Sequence, residues 1–177
     1  PHIEKLKDKE FEVLLMTDPV DEWLVQSLIE YDGKPLKSAE KGDLGIDKID
    51  DTKKENYGLL FDNIKQHLEE EIKEVKPSTR LKDSVSCLSG DSWDMSSYME
   101  KLLKSSGQKP QKNKKVLELN IDHPVIEKIK LIFEENKDNP LLKDYSQLLL
   151  DMAMITGGNK LSDPSKFSKT INKLIMD

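Results

Sequence analysis

Cysteine is almost absent from this 177-residue chain. Cys87 stands alone, so no intrachain disulfide can form, which suits a reducing compartment. No window approaches the about 18 continuous apolar residues that a membrane span needs, and no charged-then-apolar signal opens the chain. Aromatic residues make up 6%, so little apolar material is left beyond a modest core. Lysine and arginine (28) are outnumbered by aspartate and glutamate (34), and the net charge of -6 argues against a dedicated nucleic-acid binder. His2, His67 and His123 lie far apart, and no HExxH, CxxC or EF-hand loop supplies a metal site. Phosphate-loop and GxSxG motifs are missing too, so no constellation for an enzyme is found. The expectation is a cytosolic protein, and the start at Pro1 without an initiator methionine suggests a piece of something larger.

What the chain does have is charge, at 35%, and helical periodicity. The run Phe11–Met16 (FEVLLM) reads as a buried strand. Asp18-Pro19 then starts a helix to about Glu30, with the Asp18 carboxylate accepting a free backbone N–H and Tyr31–Pro35 closing it. Together with a return strand before Ser38 these form a small α/β unit. Residues 37–56, charged and aperiodic, read as a linker or loop. Tyr57, Leu60, Phe61, Ile64, Leu68 and Ile72 recur at threes and fours and predict an amphipathic helix. Val75–Leu81 and Val85–Leu88 read as short strands, and Val116–Asn120 (VLELN) is the clearest isolated strand signal. Helices are expected over Pro124–Asn136, Pro140–Thr156 and Pro164–Met176.

Candidate sites are few. Asp18, Asp21 and Glu22 could pass for acid–base carboxylates, but their place in a first helical turn favours capping. Cys87 reads as a small core residue, and Lys109–Lys115 as a solvated basic loop.

Three helices raise more pointed questions. In Trp93–Leu103 (WDMSSYMEKLL), Met95, Tyr98, Met99, Leu102 and Leu103 share one face, with Trp93 just before it. Ser89–Ser92 offers caps for this helix and Gly107 its end. Periodicity favours a core stripe, although methionine also suits adaptable binding surfaces. The penultimate helix carries Leu148, Leu149, Met152 and Ile155 on a stripe widened by Leu150, Ala153 and Met154, more than one buried face requires. The last helix presents Phe167, Ile171, Leu174 and Ile175. These two helices either complete a four-helix bundle with a two-fold partner or pack on their own domain.

Several blocks together resemble the heat shock protein 90 chaperone family, in its bacterial branch. They are PHIE at the start (Pro1–Glu4), EVLLMTDPVDEW (Glu12–Trp23), LIEYDGKPLKS (Leu28–Ser38), STRL (Ser78–Leu81) and LSDPSKFSKTINKLI (Leu161–Ile175). At Trp93 the sequence is closer to the eukaryotic members. The resemblance implies an α+β chain made of the end of a middle domain with its linker (1–50) and a mostly helical C-terminal dimerisation domain with a short sheet (51–177). It implies a homodimer held by a four-helix bundle through Leu148, Leu149, Met152, Ile155, Phe167, Ile171, Leu174 and Ile175. It further implies that Trp93, Met95, Tyr98, Met99, Leu102 and Leu103 contact unfolded or partly folded client proteins. No nucleic acid or membrane partner is expected.

The family's ATP and magnesium site lies in an N-terminal domain outside this stretch. The resemblance therefore implies no cofactor here, and the chain is expected not to be an enzyme. The ending Ile175-Met176-Asp177 lacks the acidic tail of cytosolic eukaryotic members, which implies a bacterial or organellar, cytoplasmic protein.

Overall fold

The computed structural model describes residues 1–108 and 113–176, which carry seven helices and two small sheets. Helix α1 (Glu4–Asp8) and helix α2 (Asp21–Ser27) precede a hairpin of β1 (Glu30–Tyr31) and β2 (Lys34–Pro35). Its two-residue turn is Asp32-Gly33, with φ of 49° and 71°, the left-handed pair that such tight hairpins require. Helix α3 (Asp51–His67), β3 (Ile72–Pro77), β4 (Ser86–Ser89), α4 (Ser97–Ser105), β5 (Lys115–Leu119), α5 (Pro124–Glu135), α6 (Leu141–Thr156) and α7 (Pro164–Met176) follow. The α+β class expected from the sequence stands. No helix among the described residues is long and apolar enough to cross a membrane.

Short polar caps fix where the helices begin. The Asp50 carboxylate accepts the Thr52 N–H at 2.8 Å, His123 Nδ1 accepts that of Val125 at 3.2 Å, and Asp163 accepts that of Lys166 at 2.9 Å. Each satisfies one of the donors that a first helical turn leaves free. Proline at the first position of α5 and α7 costs no hydrogen bond there.

The core sheet has the order β3–β5–β4, with β5 parallel to β3 and antiparallel to β4. Leu117 and Leu119 of β5 share one face with Val75, and that face lies against Leu60 and Ile64 of α3, Ile126 and Ile129 of α5, and Leu142 and Leu149 of α6. The Ser86 hydroxyl, on the same face, donates to the Leu149 carbonyl at 2.8 Å and ties α6 to the sheet.

On the opposite face β4 and β5 are equally buried, although charged and polar groups lie there. Glu118 and Arg80 are each 1% exposed. Arg80 Nε and the Ser78 hydroxyl donate to Glu118 Oε2, both at 2.9 Å, and the Ser89 hydroxyl donates to Oε1 at 2.7 Å. The other two guanidinium nitrogens donate to the Ala39 and Gly42 carbonyls. A buried charge is tolerated only when paired and fully hydrogen-bonded, and this set provides both.

Several expectations are corrected by this arrangement. Phe11–Met16 is no strand: none of the described β elements pairs with it, and Phe11, Leu14 and Leu15 stay more than half exposed. An apolar run becomes a buried strand only where a neighbour takes up its backbone groups. Helix α2 is shorter than Pro19–Glu30, and its first turn is closed in the reverse sense, the Asp21 carboxylate accepting the Asp18 N–H at 2.9 Å. Residues 37–50 are not a free linker, because Arg80 holds them, Leu44 is buried and Lys41 bridges to Gly90. Helix α3 starts at Asp51, inside the stretch read as linker, and Ile72 belongs to β3 rather than to the helix. Lys109–Lys115 lies partly outside the described residues, and Lys115 opens β5.

At the surface, Glu4 of α1 accepts three backbone N–H groups, from Lys82 (2.8 Å), Asp83 (2.9 Å) and Ser84 (3.0 Å), and the Ser84 hydroxyl. Partial burial works against its charge, but the Ser84 hydroxyl and these N–H groups outweigh it and hold the carboxyl at about 2, against its ordinary 4.5.

Two outcomes are expected from urea denaturation. Arg80→Met leaves buried Glu118 with only Lys76, at 3.6 Å, as counter-charge and costs about 3–5 kcal/mol, and Arg80→Met combined with Glu118→Met recovers most of it. A loss below about 1 kcal/mol, the size of an exposed pair, would contradict this. A carboxyl whose pKa is depressed on folding stabilises at high pH. The Glu4 contribution is therefore complete above pH 4.5 and fades as pH falls toward about 2. The stability gap between the protein and Glu4→Gln closes over that window.

Candidate functional site

Helix α4 begins where its own capping residue stops the preceding loop. The Ser96 hydroxyl accepts the Met99 N–H at 3.0 Å and also donates to the Glu22 carboxylate of α2. Sequence reasoning looked for the cap among Ser89–Ser92, but Ser89 is committed to Glu118. Upstream, the Asp94 carboxylate accepts the Asp91 N–H at 2.8 Å and an Asn113 amide hydrogen at 3.0 Å. Partial burial opposes its charge, yet these donors keep its pKa below the usual carboxylate value.

The far end of α4 closes on Gly107, at φ 77°. Its N–H donates to the Lys104 carbonyl at 3.2 Å, and that of Gln108 to Leu103 at 3.0 Å. This is the paired C-terminal closure that glycine makes possible. Lys115 of β5 pairs with Glu100 at 2.8 Å and holds one flank of the helix to the sheet.

Held this way, α4 keeps part of its apolar face in solvent. Met95 is 41% exposed, Tyr98 38% and Leu102 37%, while Met99 and Leu103 are half-buried. Trp93 lies in the loop before the helix and is 97% exposed. The core-stripe reading is thus met halfway: the stripe touches the protein along one edge only.

The Glu22 contact adds residues that sequence reasoning assigned to the α/β unit. Trp23 and Leu24, beside Glu22 on α2, are 69% and 44% exposed. Their spacing is the same for a buried helix as for a surface one, so no pattern distinguishes them. The Glu22–Ser96 hydrogen bond does, by bringing α2 to the start of α4.

A second apolar surface lies on α6 and α7. Phe167, Ile171 and Leu174 are half-buried and Thr170 is buried, with α7 packed on α6. The Lys173–Asp144 ion pair ties the two helices together. Ile155 and Ile175 remain exposed, and Leu148 and Met152 are half-buried. Leu149 differs from its neighbours: at 1% exposure it is sealed in the protomer's own core and has no surface for a partner.

The remaining sequence candidates carry no chemistry. Cys87 is fully buried, and burial, helped by the nearby Glu118 charge, pushes its thiol up to about 12. Asp21 closes its helical turn and Glu22 accepts from Ser96, which are structural tasks.

Comparison with known proteins adds a family. The model described as Hsp90 protein matches residues 1–177. This chain belongs to the Hsp90 family. It is similar to the chaperone protein HtpG of Geobacter metallireducens, at 41% identity over 99% of the chain, and to that of Geobacter sulfurreducens, at 40% over the same share. The HtpG of Alkalilimnicola ehrlichii is 38% identical over 100% of the chain. The chain spans 28% of the length of each of these relatives. The membership also corrects an expectation. The chain was expected not to be an enzyme, but all 177 residues match a family to which the resemblance attributes ATP hydrolysis, so that exclusion is withdrawn.

Gly107→Ala is expected to destabilise the last turn of α4 by about 1–2 kcal/mol, because a side chain at φ 77° is strained. Hydrogen exchange at Leu102–Gly107 would accelerate while the global unfolding midpoint stays in place. An unchanged exchange rate would contradict this account of the helix end.

Proposed function

We propose that this Hsp90 chain is the dimerising and client-contacting part of a chaperone, covering the end of a middle domain (1–50) and a C-terminal domain (51–177). One observation carries the client reading. Tyr98 and Leu102 stay in solvent on a helix that is capped at both ends and fixed to the sheet, and Met95 stays in solvent just before its cap. A folded protein leaves such side chains exposed at a cost, which a partner's apolar surface recovers. Methionine and tyrosine adapt to many shapes, as a surface for partly unfolded chains of varied sequence requires. Trp23 and Leu24 of α2 extend the surface through the Glu22–Ser96 contact.

Self-association would use the other surface. Leu148, Met152, Ile155, Phe167, Ile171, Leu174 and Ile175 offer a face for a second copy, and two helices from each protomer form a four-helix bundle. Leu149 drops out of this set because it is already buried. A permanent dimer would raise the effective concentration at which the distant parts of the two chains meet.

Two substitutions separate these roles. Ile155→Asp with Ile175→Asp is expected to leave the fold intact and to shift sedimentation equilibrium to the 20.3 kDa monomer. A dimer that survives the double change would move the interface elsewhere. Leu102→Lys is expected to leave the dimer in place and to weaken binding of reduced, carboxymethylated α-lactalbumin roughly ten-fold, the loss of about one buried leucine contact. Unchanged affinity would remove α4 from the client surface.

A further inference from the structure

The loop Ser78–Ser84 grips the chain on both sides of α2. On the incoming side it holds α1: the Glu4 carboxylate accepts the consecutive N–H groups of Lys82, Asp83 and Ser84, and the Lys5 N–H donates to the Arg80 carbonyl at 3.2 Å. Lys82 also pairs with Asp8 at the other end of α1. On the outgoing side, the Arg80 guanidinium holds the Ala39 and Gly42 carbonyls. Between these anchorages runs the segment 11–38, with α2, its exposed Trp23 and the Glu22–Ser96 bond to α4.

The two anchorages differ in kind. Arg80 is 1% exposed and neutralised inside the sheet, so releasing it would expose a buried ion pair and unmake the fold. Glu4 sits at the rim with a side chain 20% exposed, and water can replace what it leaves. Three successive backbone N–H groups turned toward one point form a concave anion seat, which exists whether or not that carboxylate occupies it. The other side-chain ties of α1, Lys5 and Lys9 to Asp47 and Lys82 to Asp8, are solvent-accessible ion pairs worth little, so this root is releasable. A joint with one permanent and one releasable root is a hinge.

We propose that Glu4 is a positioning residue whose carboxylate, seated on Lys82–Ser84, fixes α2 against α4, and that its release frees segment 11–38 to swing while the sheet stays folded. The consequence for a bound client rests on the reading of α2 and α4 as one surface, whereas the joint itself does not.

Spin labels at Val25→Cys on α2 and Lys104→Cys on α4 test this by pulsed electron resonance on the 177-residue chain. Cys87 stays in place, since its buried thiol does not react. The labelled chain is expected to give a single distance. Glu4→Ala should add a second, longer population while the core methyl resonances of Leu117, Leu119 and Ile126 keep their folded-state shifts. Ser84→Ala, which keeps all three N–H donors, should retain the single distance. An unaltered distribution in Glu4→Ala would overturn the proposal, as would loss of the folded core resonances together with the new population, or a second population in Ser84→Ala. No client is present in the measurement, so an α4 that fails to bind α-lactalbumin would leave its result intact.

Discussion

The Glu118 carboxylate lies in the middle of the central strand, on a face that an ordinary two-layer domain would leave in water. Its presence there obliges the chain to supply a cation and several donors from nearby, and Arg80, Ser78 and Ser89 meet that demand. Arg80 in turn has more donors than one carboxylate can use, and it spends the remainder on the Ala39 and Gly42 carbonyls. One charged pair therefore decides three things: that β5 is buried on both faces, that residues 39–44 cover the sheet, and that α2 hangs from a fixed root. The helices are left to cover the apolar face alone, which accounts for the α3, α5 and α6 layer on that side.

That division of labour explains where apolar surface remains. Helix α6 spends Leu142, Tyr145 and Leu149 on the core and has Leu148, Met152 and Ile155 left over beside α7. Helix α4 lies off the helical layer, bound by its cap and by Lys115, and has no layer of its own to bury Met95 or Leu102. The relatives are named chaperones, and the geometry separates two surfaces here: one sits on α6 and α7 and the other at the loop-anchored α4.

Much of the local structure was legible in the sequence. The spans read as starting at Pro124, Pro140 and Pro164 and the apolar periodicity placed α5, α6 and α7 to within a residue or so, because helix starts and helical spacing are local signals. Strand β5 was found from VLELN for the same reason. The failures share a different cause. FEVLLM has strand composition but no strand partner, and residues 37–50 look like a linker until Arg80, some forty positions later, is seen to hold them. Glu118 reads as the outward residue of an alternating strand, and nothing near it in sequence reveals that the outward face is covered. The apolar stripe of α4 was visible, but its half-exposure depends on where α3, α5 and α6 fall, which periodicity does not encode. The surplus on α6 was visible as well, without telling which leucine, Leu149, the core would take.

The central claim is that this chain carries two separate apolar surfaces, one for its own copy and one for other proteins. Hydrogen exchange of the whole chain across a dilution series tests it most directly. The account predicts that amides of Met152–Thr156 and of α7 become protected as concentration rises, while those of α4 exchange at a constant rate. Protection that grows on α4 and not on α7 would contradict it.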